Sequence, residues 1–342
     1  MDPIRKHLTR SPRRLGGLAV VTAASLIALL PRVGTGQPAA GPTVAVPGSP
    51  ETPTEHAARE ARRAYGWPIR PFDVQHPVRG FFGDPRISET NGGQESRTLH
   101  FGIDIACPNG TPVYAVVSGV ARLEAVHPET VAVVNDDGRQ IQSYWHIRPA
   151  VSDRQRVVAR RTILGYVKAP WAHVHFADFV DGRYLNPLRP GALGPYRDTT
   201  VPTIRSLTVE HDGRVVASRR LTGAVDLVIE AADEPPLDAP APWAGLPVAP
   251  AALRWRLLTA NREPVAPWTE PVDFRTTLPA SYGSIYAKWT RQNKARRKGR
   301  YRFYVARALE TATLTAGRYL VEVEATDTRG NRRIADFIVV KP

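Results

Sequence analysis

The sequence predicts a mostly β protein of two domains, and three observations predict it. Short runs rich in Val, Ile, Thr, Tyr and Phe recur from about residue 66 onward, bounded by Gly, Pro, Asn and Asp. No long helical period interrupts them. The chain has 342 residues, 42% apolar and 23% charged, which is too long for one small core and too apolar for a disordered polypeptide.

Residues 1–36 come first and read as a signal peptide or N-terminal anchor. Arg5, Lys6, Arg10, Arg13 and Arg14 precede an uncharged run, Leu15–Leu30, and Gly34 and Gly36 then place small residues before Gln37. This order predicts export, to the cell envelope or beyond. If the segment is retained, residues 15–30 are the anchor and the chain's one membrane contact. The net charge is +14, and removing residues 1–36 deletes six bases and one acid, which leaves +9. Outside the cytoplasm such a basic chain meets wall polymers and lipid headgroups, so nucleic acid is not expected as a partner. The single cysteine, Cys107, excludes a disulfide framework and any multi-cysteine metal site, and reads as a small buried residue.

Residues 37–65 read as a Gly-, Pro-, Thr- and Ala-rich linker ending in a short helix, Thr54 to Ala64. Residues 66–198 form the first domain. Residues 199–342 hold runs such as AVDLVIEA, RYRFYVA and GRYLVEVEATD, and about seven short strands there predict an immunoglobulin-like sandwich. Two insertions interrupt it, one Pro-rich over 235–250 and one basic over 291–302. The segment Asp327–Asn331 reads as a hairpin turn, because further acidic ligands for calcium are missing from its neighbourhood in sequence.

Four of the nine histidines fall in three tight β settings. In LHFGIDIA, alternation puts His100, Gly102 and Asp104 on one face and Phe101, Ile103 and Ile105 on the other. In AHVHFADF, His173 and His175 share a face while Val174 and Phe176 point to the core. A hairpin turning at Asn135–Gly138 returns a strand on which Gln142, Tyr144 and His146 share a side. A catalytic zinc site uses three protein ligands and keeps a fourth position open. Four histidines and an aspartate therefore supply a ligand set with two histidines to spare for proton and oxyanion work, which suits metal-assisted amide hydrolysis. His7, His56, His76, His127 and His211 have no such setting and read as surface or turn residues.

The run His100-Phe-Gly-Ile-Asp104, with Gly110-Thr-Pro-Val-Tyr-Ala115 and Ser118-Gly119-Val120, resembles the core of the lysostaphin-type peptidoglycan endopeptidases, peptidase family M23. Tyr144-Trp-His146-Ile, His173-Val-His175-Phe176 and Asn186-Pro187 extend the likeness, and Arg79-Gly-Phe-Phe-Gly83-Asp-Pro-Arg86 resembles the segment upstream of that core. The likeness covers roughly Pro77–Pro190. It implies a small, strongly twisted antiparallel sheet of the duplicated hybrid motif type. It implies that His100, Asp104 and His175 hold one Zn2+ per chain and that His146 and His173 are the catalytic pair, one activating water and one stabilising the transition state. It implies peptidoglycan peptides as substrate; no substrate-binding residue is assigned.

Two departures stand out. Lys168-Ala-Pro-Trp171-Ala replaces a stretch that is usually Gly-rich, and Ala177-Asp178 stands where Glu usually follows His-x-His-Phe. The rival expectation is a catalytically silent member that binds the wall and activates or scaffolds another hydrolase. The bases of Arg291–Arg302 read either as a solvated face or as a grip on anionic wall polymers.

Overall fold

The computed structural model describes residues 65–89 and 94–342. The expected signal or anchor over 1–36, the linker and the helix Thr54 to Ala64 lie outside the described residues. Among the described residues no helix is long and apolar enough to cross a membrane. Strands dominate, and the single α-helical turn described, Tyr282–Ile285, is capped by the Ser281 hydroxyl accepting from Ser284 N at 3.2 Å.

In the first half, alternate apolar residues on His173–Val180 make it the central strand. Val174 and Phe176 have no exposed surface. Burying a side chain such as Phe176 stabilises by about 1.5–3 kcal/mol. This strand pairs antiparallel with Ile103–Ala106, placing His175 opposite Asp104, and with Gln140–Trp145, placing His175 opposite Trp145. The eight-stranded sheet continues through Thr130–Val134, Gly119–Leu123 and Arg156–Val157 on one side, with Val78–Gly80 at the other edge. A second, three-stranded sheet of Pro112–Tyr114, Ile163–Val167 and Ile147–Pro149 packs against it over Ile103, Val131, Tyr144, Leu164 and Phe176, all in the shared core. Tyr144 is part of that packing, and its hydroxyl accepts Val116 N–H at 2.9 Å.

The second half is a β-sandwich of two four-stranded antiparallel sheets. One runs Arg214–Val215, Thr203–His211, Ala224–Ala232, Arg302–Glu310; the other runs Thr269–Asp273, Ala252–Thr259, Gly317–Thr326, Arg332–Lys341. Val321, Val323 and Ala325 face inward with no exposed surface. On the opposite face of that strand, Glu322 and Glu324 are covered by the guanidinium groups of Arg256 and Arg254. Asp327–Asn331 is the hairpin turn expected, with Asp327 accepting from Arg329 N at 2.8 Å and Asn331 N at 2.9 Å. The acidic neighbours missing from its sequence are nonetheless present in space, because Asp198 and Asp233 converge on Asp327.

The halves are joined at the loop that follows Val78–Gly80. Gly83 has φ +87°, and a side chain there would run into the Phe274 ring. Its carbonyl accepts from the Tyr286 hydroxyl at 2.9 Å. The next residue, Asp84, accepts from Ala249 N at 2.8 Å across the interface and from Phe81 N at 2.7 Å within the loop. Asn186 Nδ2 donates to Phe274 O at 2.9 Å. The basic insertion is also more tied down than a solvated loop. Arg302 is buried on Glu210 at 2.7 Å and Arg300 bonds Glu230 at 2.8 Å, while Arg291, Lys294, Arg296, Arg297 and Lys298 remain exposed.

Candidate metal centre

The strand Glu95–Leu99 ends before His100, and the chain bends through Gly102 before Ile103–Ala106 begins. Strict alternation therefore fails at Phe101. Its ring does not join Ile103 and Ile105 in the core but lies 4.7 Å from the His175 ring, centroid to centroid. Gly102 is required for this bend, since a methyl there would collide with the Phe176 carbonyl and reach within 2.9 Å of the His175 ring.

His100 Nδ1 donates to the carbonyl of Phe81 at 2.8 Å, which leaves Nε2 with a free lone pair. That Nε2 lies 2.8 Å from His175 Nδ1 and 3.2 Å from Asp104 Oδ1, and the third side of the triangle, His175 Nδ1 to Asp104 Oδ1, is 3.1 Å. Ligands about 2.0–2.2 Å from a tetrahedral zinc stand roughly 3.3–3.5 Å apart. The triangle is tighter than that, most of all between the two nitrogens at 2.8 Å, and its two imidazole nitrogens and one carboxylate oxygen are a donor set that would hold such an ion. Arg86 takes the other carboxylate oxygen, Asp104 Oδ2, at 2.7 Å, which turns Oδ1 toward the two nitrogens.

Electrostatics agree with the donor set. Burial pushes His100 down to about 3, with Arg86 adding and Asp104 opposing, and burial lowers His175 as well. Burial works against the Asp104 carboxylate, but His100, Arg86 and His173 outweigh it and hold the group well below its ordinary value. At neutral pH these are two neutral imidazoles and one carboxylate, the form in which such groups bind a metal.

The remaining pair flanks the open side of the triangle. The strand Gln140–Trp145 stops one residue short of His146, whose left-handed φ of 66° turns it off the strand. Its ring centre is 4.7 Å from that of His173 and 6.3 Å from that of His175. Burial, then His173 and His175, push His146 down to about 2. His173 Nε2 lies 3.4 Å from Asp104 Oδ1. The structure thus brings His100, Asp104, His146, His173 and His175 to one place.

Around them opens a groove of about 1010 Å3. Trp145, Trp171 and His127 line it from the first half, and Trp243, Asn293 and Tyr301 from the second. His127 stands at a turn, one of its two expected places, its carbonyl accepting from Thr130 N at 3.0 Å, but it is not on the surface. It is buried, its ring 5.1 Å from that of Trp145. Arg79 and Arg86 belong to the upstream segment that extends the likeness, which gives them no role, and Trp243, from the Pro-rich insertion of the other half, carries no motif. Cys107 also lines the groove, but burial pushes its thiol up to about 11, so it stays protonated and inert.

Residues 98–187 match the family model described as Peptidase family M23. Among solved structures, the catalytic domain of the antimicrobial peptidase lysostaphin from Staphylococcus simulans is similar at 25% identity, covering 33% of this chain and 90% of that one, with a TM-score of 0.27. A putative peptidase M23 from Pseudomonas aeruginosa is similar at 26% identity, over 38% of this chain and 55% of that one, with a TM-score of 0.23. A zinc containing peptidase from Vibrio cholerae is similar at 22% identity, over 36% and 39% respectively, with a TM-score of 0.29. No curated protein matches the chain.

Proposed function

We propose that this chain, which matches the model of peptidase family M23 over residues 98–187, is an exported zinc endopeptidase that hydrolyses peptide bonds in the stems or cross-bridges of peptidoglycan. The observation that carries the reading is the triangle of His100 Nε2, Asp104 Oδ1 and His175 Nδ1, with two further histidines at its open side.

In this reading His100, Asp104 and His175 hold one zinc ion. When bound, zinc polarises a carbonyl and makes water more acidic. The Phe81 carbonyl orients His100, and Arg86 orients Asp104. His146 and His173 stand on the open side, where a neutral imidazole can take a proton from water or donate a hydrogen bond to a developing oxyanion. The tryptophans of the groove exclude bulk water and accept the apolar parts of a peptide. The exposed bases Arg291, Lys294, Arg296, Arg297 and Lys298 belong to the segment that supplies Asn293 to the groove, and there they meet anionic wall polymers. Export follows from the order of charges, apolar run and small residues over 1–36.

The test is incubation of the chain lacking its first 36 residues, loaded with one zinc equivalent, with intact sacculi and with isolated muropeptides. New stem or bridge fragments, seen by mass spectrometry and lost with a chelator and with His173→Ala, support the reading and name the bond. Zinc bound, sacculi bound and nothing cut favours a silent wall-binding activator instead.

A further inference from the structure

His173 Nδ1 has two neighbours that want opposite things of it. The Trp171 carbonyl oxygen is 2.8 Å away and can only accept, so that contact calls for a proton on Nδ1. Arg79 Nη2 is 2.6 Å away and can only donate, so that contact calls for a bare nitrogen. A neutral imidazole satisfies one of them. The guanidinium does not lose its proton, and a charged donor makes the stronger bond.

Arg79 is also held in place from the other half of the chain. Its guanidinium carbon lies 4.2 Å from the centre of the Trp243 ring. Trp243 N donates to Pro240 O at 3.0 Å, and Pro242 O accepts from Arg296 N at 2.8 Å, so the Pro-rich insertion is fastened to the basic segment behind it. Arg79 thus sits between a ring from the sandwich and a histidine at the metal centre.

We propose that Arg79, clamped by Trp243, is a positioning residue that keeps His173 bare at Nδ1 and protonated at Nε2, so that His173 serves as the hydrogen-bond donor of the pair. The Nε2 that carries the proton is the atom 3.4 Å from Asp104 Oδ1, on the side of the metal ligands. The ring nitrogens of His146 bond no protein group among the described residues, and His146 is left as the other member of the pair. The sandwich then takes part in the chemistry by setting a tautomer. This division of labour rests on the peptidase reading above, but the tautomer itself does not.

The experiment is nitrogen-15 NMR of the histidine rings in the full zinc-loaded chain, with His173 assigned by its loss in His173→Gln. Wild type should show an unprotonated Nδ1 and a protonated Nε2 at His173. Arg79→Met, which keeps length and removes the donor, should reverse the two as Nδ1 turns to the Trp171 carbonyl. Arg79→Lys, which restores a donor, should return the wild-type pattern. With a cleavable muropeptide, Arg79→Met should lower kcat about 10–100-fold, the usual cost of an outer partner, with KM and zinc content nearly unchanged. A protonated Nδ1 in wild type overturns the proposal, and that spectrum decides even if Arg79→Met does not fold. An unaltered His173 pattern in a folded Arg79→Met overturns it as well. If wild type cuts no wall peptide, the peptidase reading falls while the spectra still judge the tautomer.

Discussion

The indole of Trp171 lies flat on the imidazole of His146, ring centres 3.9 Å apart and planes inclined by 22°. The indole is itself fixed, since Trp171 Nε1 donates to Glu129 Oε2 at 3.0 Å and Lys168 pairs with the other oxygen of the same carboxylate. The Trp171 segment, which departs from the Gly-rich stretch of the resembling family, therefore bears directly on the position of a candidate catalytic ring. A stacked aromatic pair is worth about 0.5–1.5 kcal/mol beyond its buried area. Trp171→Ala should lower kcat/KM about tenfold, equal to about 1.4 kcal/mol, and Trp171→Phe should lower it less. Steady-state kinetics with bound zinc measured in parallel checks this, and zinc content should not change.

His175 and His173 are two residues apart on one strand and face the same groove, yet they are assigned different work. His175→Ala removes one corner of the ligand triangle and should abolish stoichiometric zinc binding. His173→Ala leaves the triangle intact and should keep one zinc per chain while turnover falls at least about 100-fold. Metal analysis after gel filtration, beside a cleavage assay, separates the two. Full turnover by zinc-loaded His173→Ala would refute its assignment.

Asp84 connects the interface to the metal centre in two steps. Its carboxylate accepts from Phe81 N at 2.7 Å, and Phe81 O in turn accepts from His100 Nδ1 at 2.8 Å. Asp84→Ala would strip buried partners from Phe81 N and Ala249 N, at about 1–3 kcal/mol for each. It should lower the unfolding midpoint and weaken zinc affinity about 10–100-fold, although Asp84 is no ligand. Chelator competition and urea unfolding measure the two effects on one sample.

An ordinary histidine site loses metal as pH drops below about 6.5, because protons compete for the ligands. Burial holds His100 down at about 3, and it lowers His175 too. His100 therefore carries no proton for the metal to displace above about pH 5, and His175 holds one less readily than an ordinary imidazole. Zinc affinity should accordingly fall less steeply below about pH 6.5 than at an ordinary two-histidine site, as read by competition with a chelator whose own protonation is corrected for. A steep loss of affinity beginning at pH 6.5 would contradict the structure.

Asp233 gives the metal-free protein the opposite sign of pH dependence. Burial lifts its carboxyl to about 8, with Asp198 and Asp327 adding to the rise. The folded state then keeps a proton that the unfolded chain has released, so stability falls as pH rises toward the folded value. Between pH 6.5 and 8 wild type should lose about 1–2 kcal/mol that Asp233→Asn does not lose. Urea midpoints at the two pH values test the difference.

The His-x-His strand was legible because strand alternation is a local property. Val174 and Phe176 had to be buried, and His173 and His175 had to follow to the other face. His146 was legible as a residue type in a setting, but its left-handed turn just beyond the strand end is decided by the chain's departure toward Ile147. Phe101 broke the alternation for a similar reason, since no strand holds residues 100–102. His127 reads as a surface residue until Trp145 covers it. The role of the second half was least legible of all. Gly83 against Phe274, or Arg79 against Trp243, is a contact between residues far apart in sequence, and no periodicity in either segment records it.

The wall of the groove contributed by Trp243, Asn293 and Tyr301 also sets an order of events during synthesis. The three candidate metal ligands, at 100, 104 and 175, emerge well before residue 243, from the ribosome or across a membrane. A chain that emerges N-terminus first can therefore gather its ligand triangle early, while the cleft is finished only when the last third of the polypeptide has folded back on it. Maturation of the cleft is in this way timed by the length of the chain.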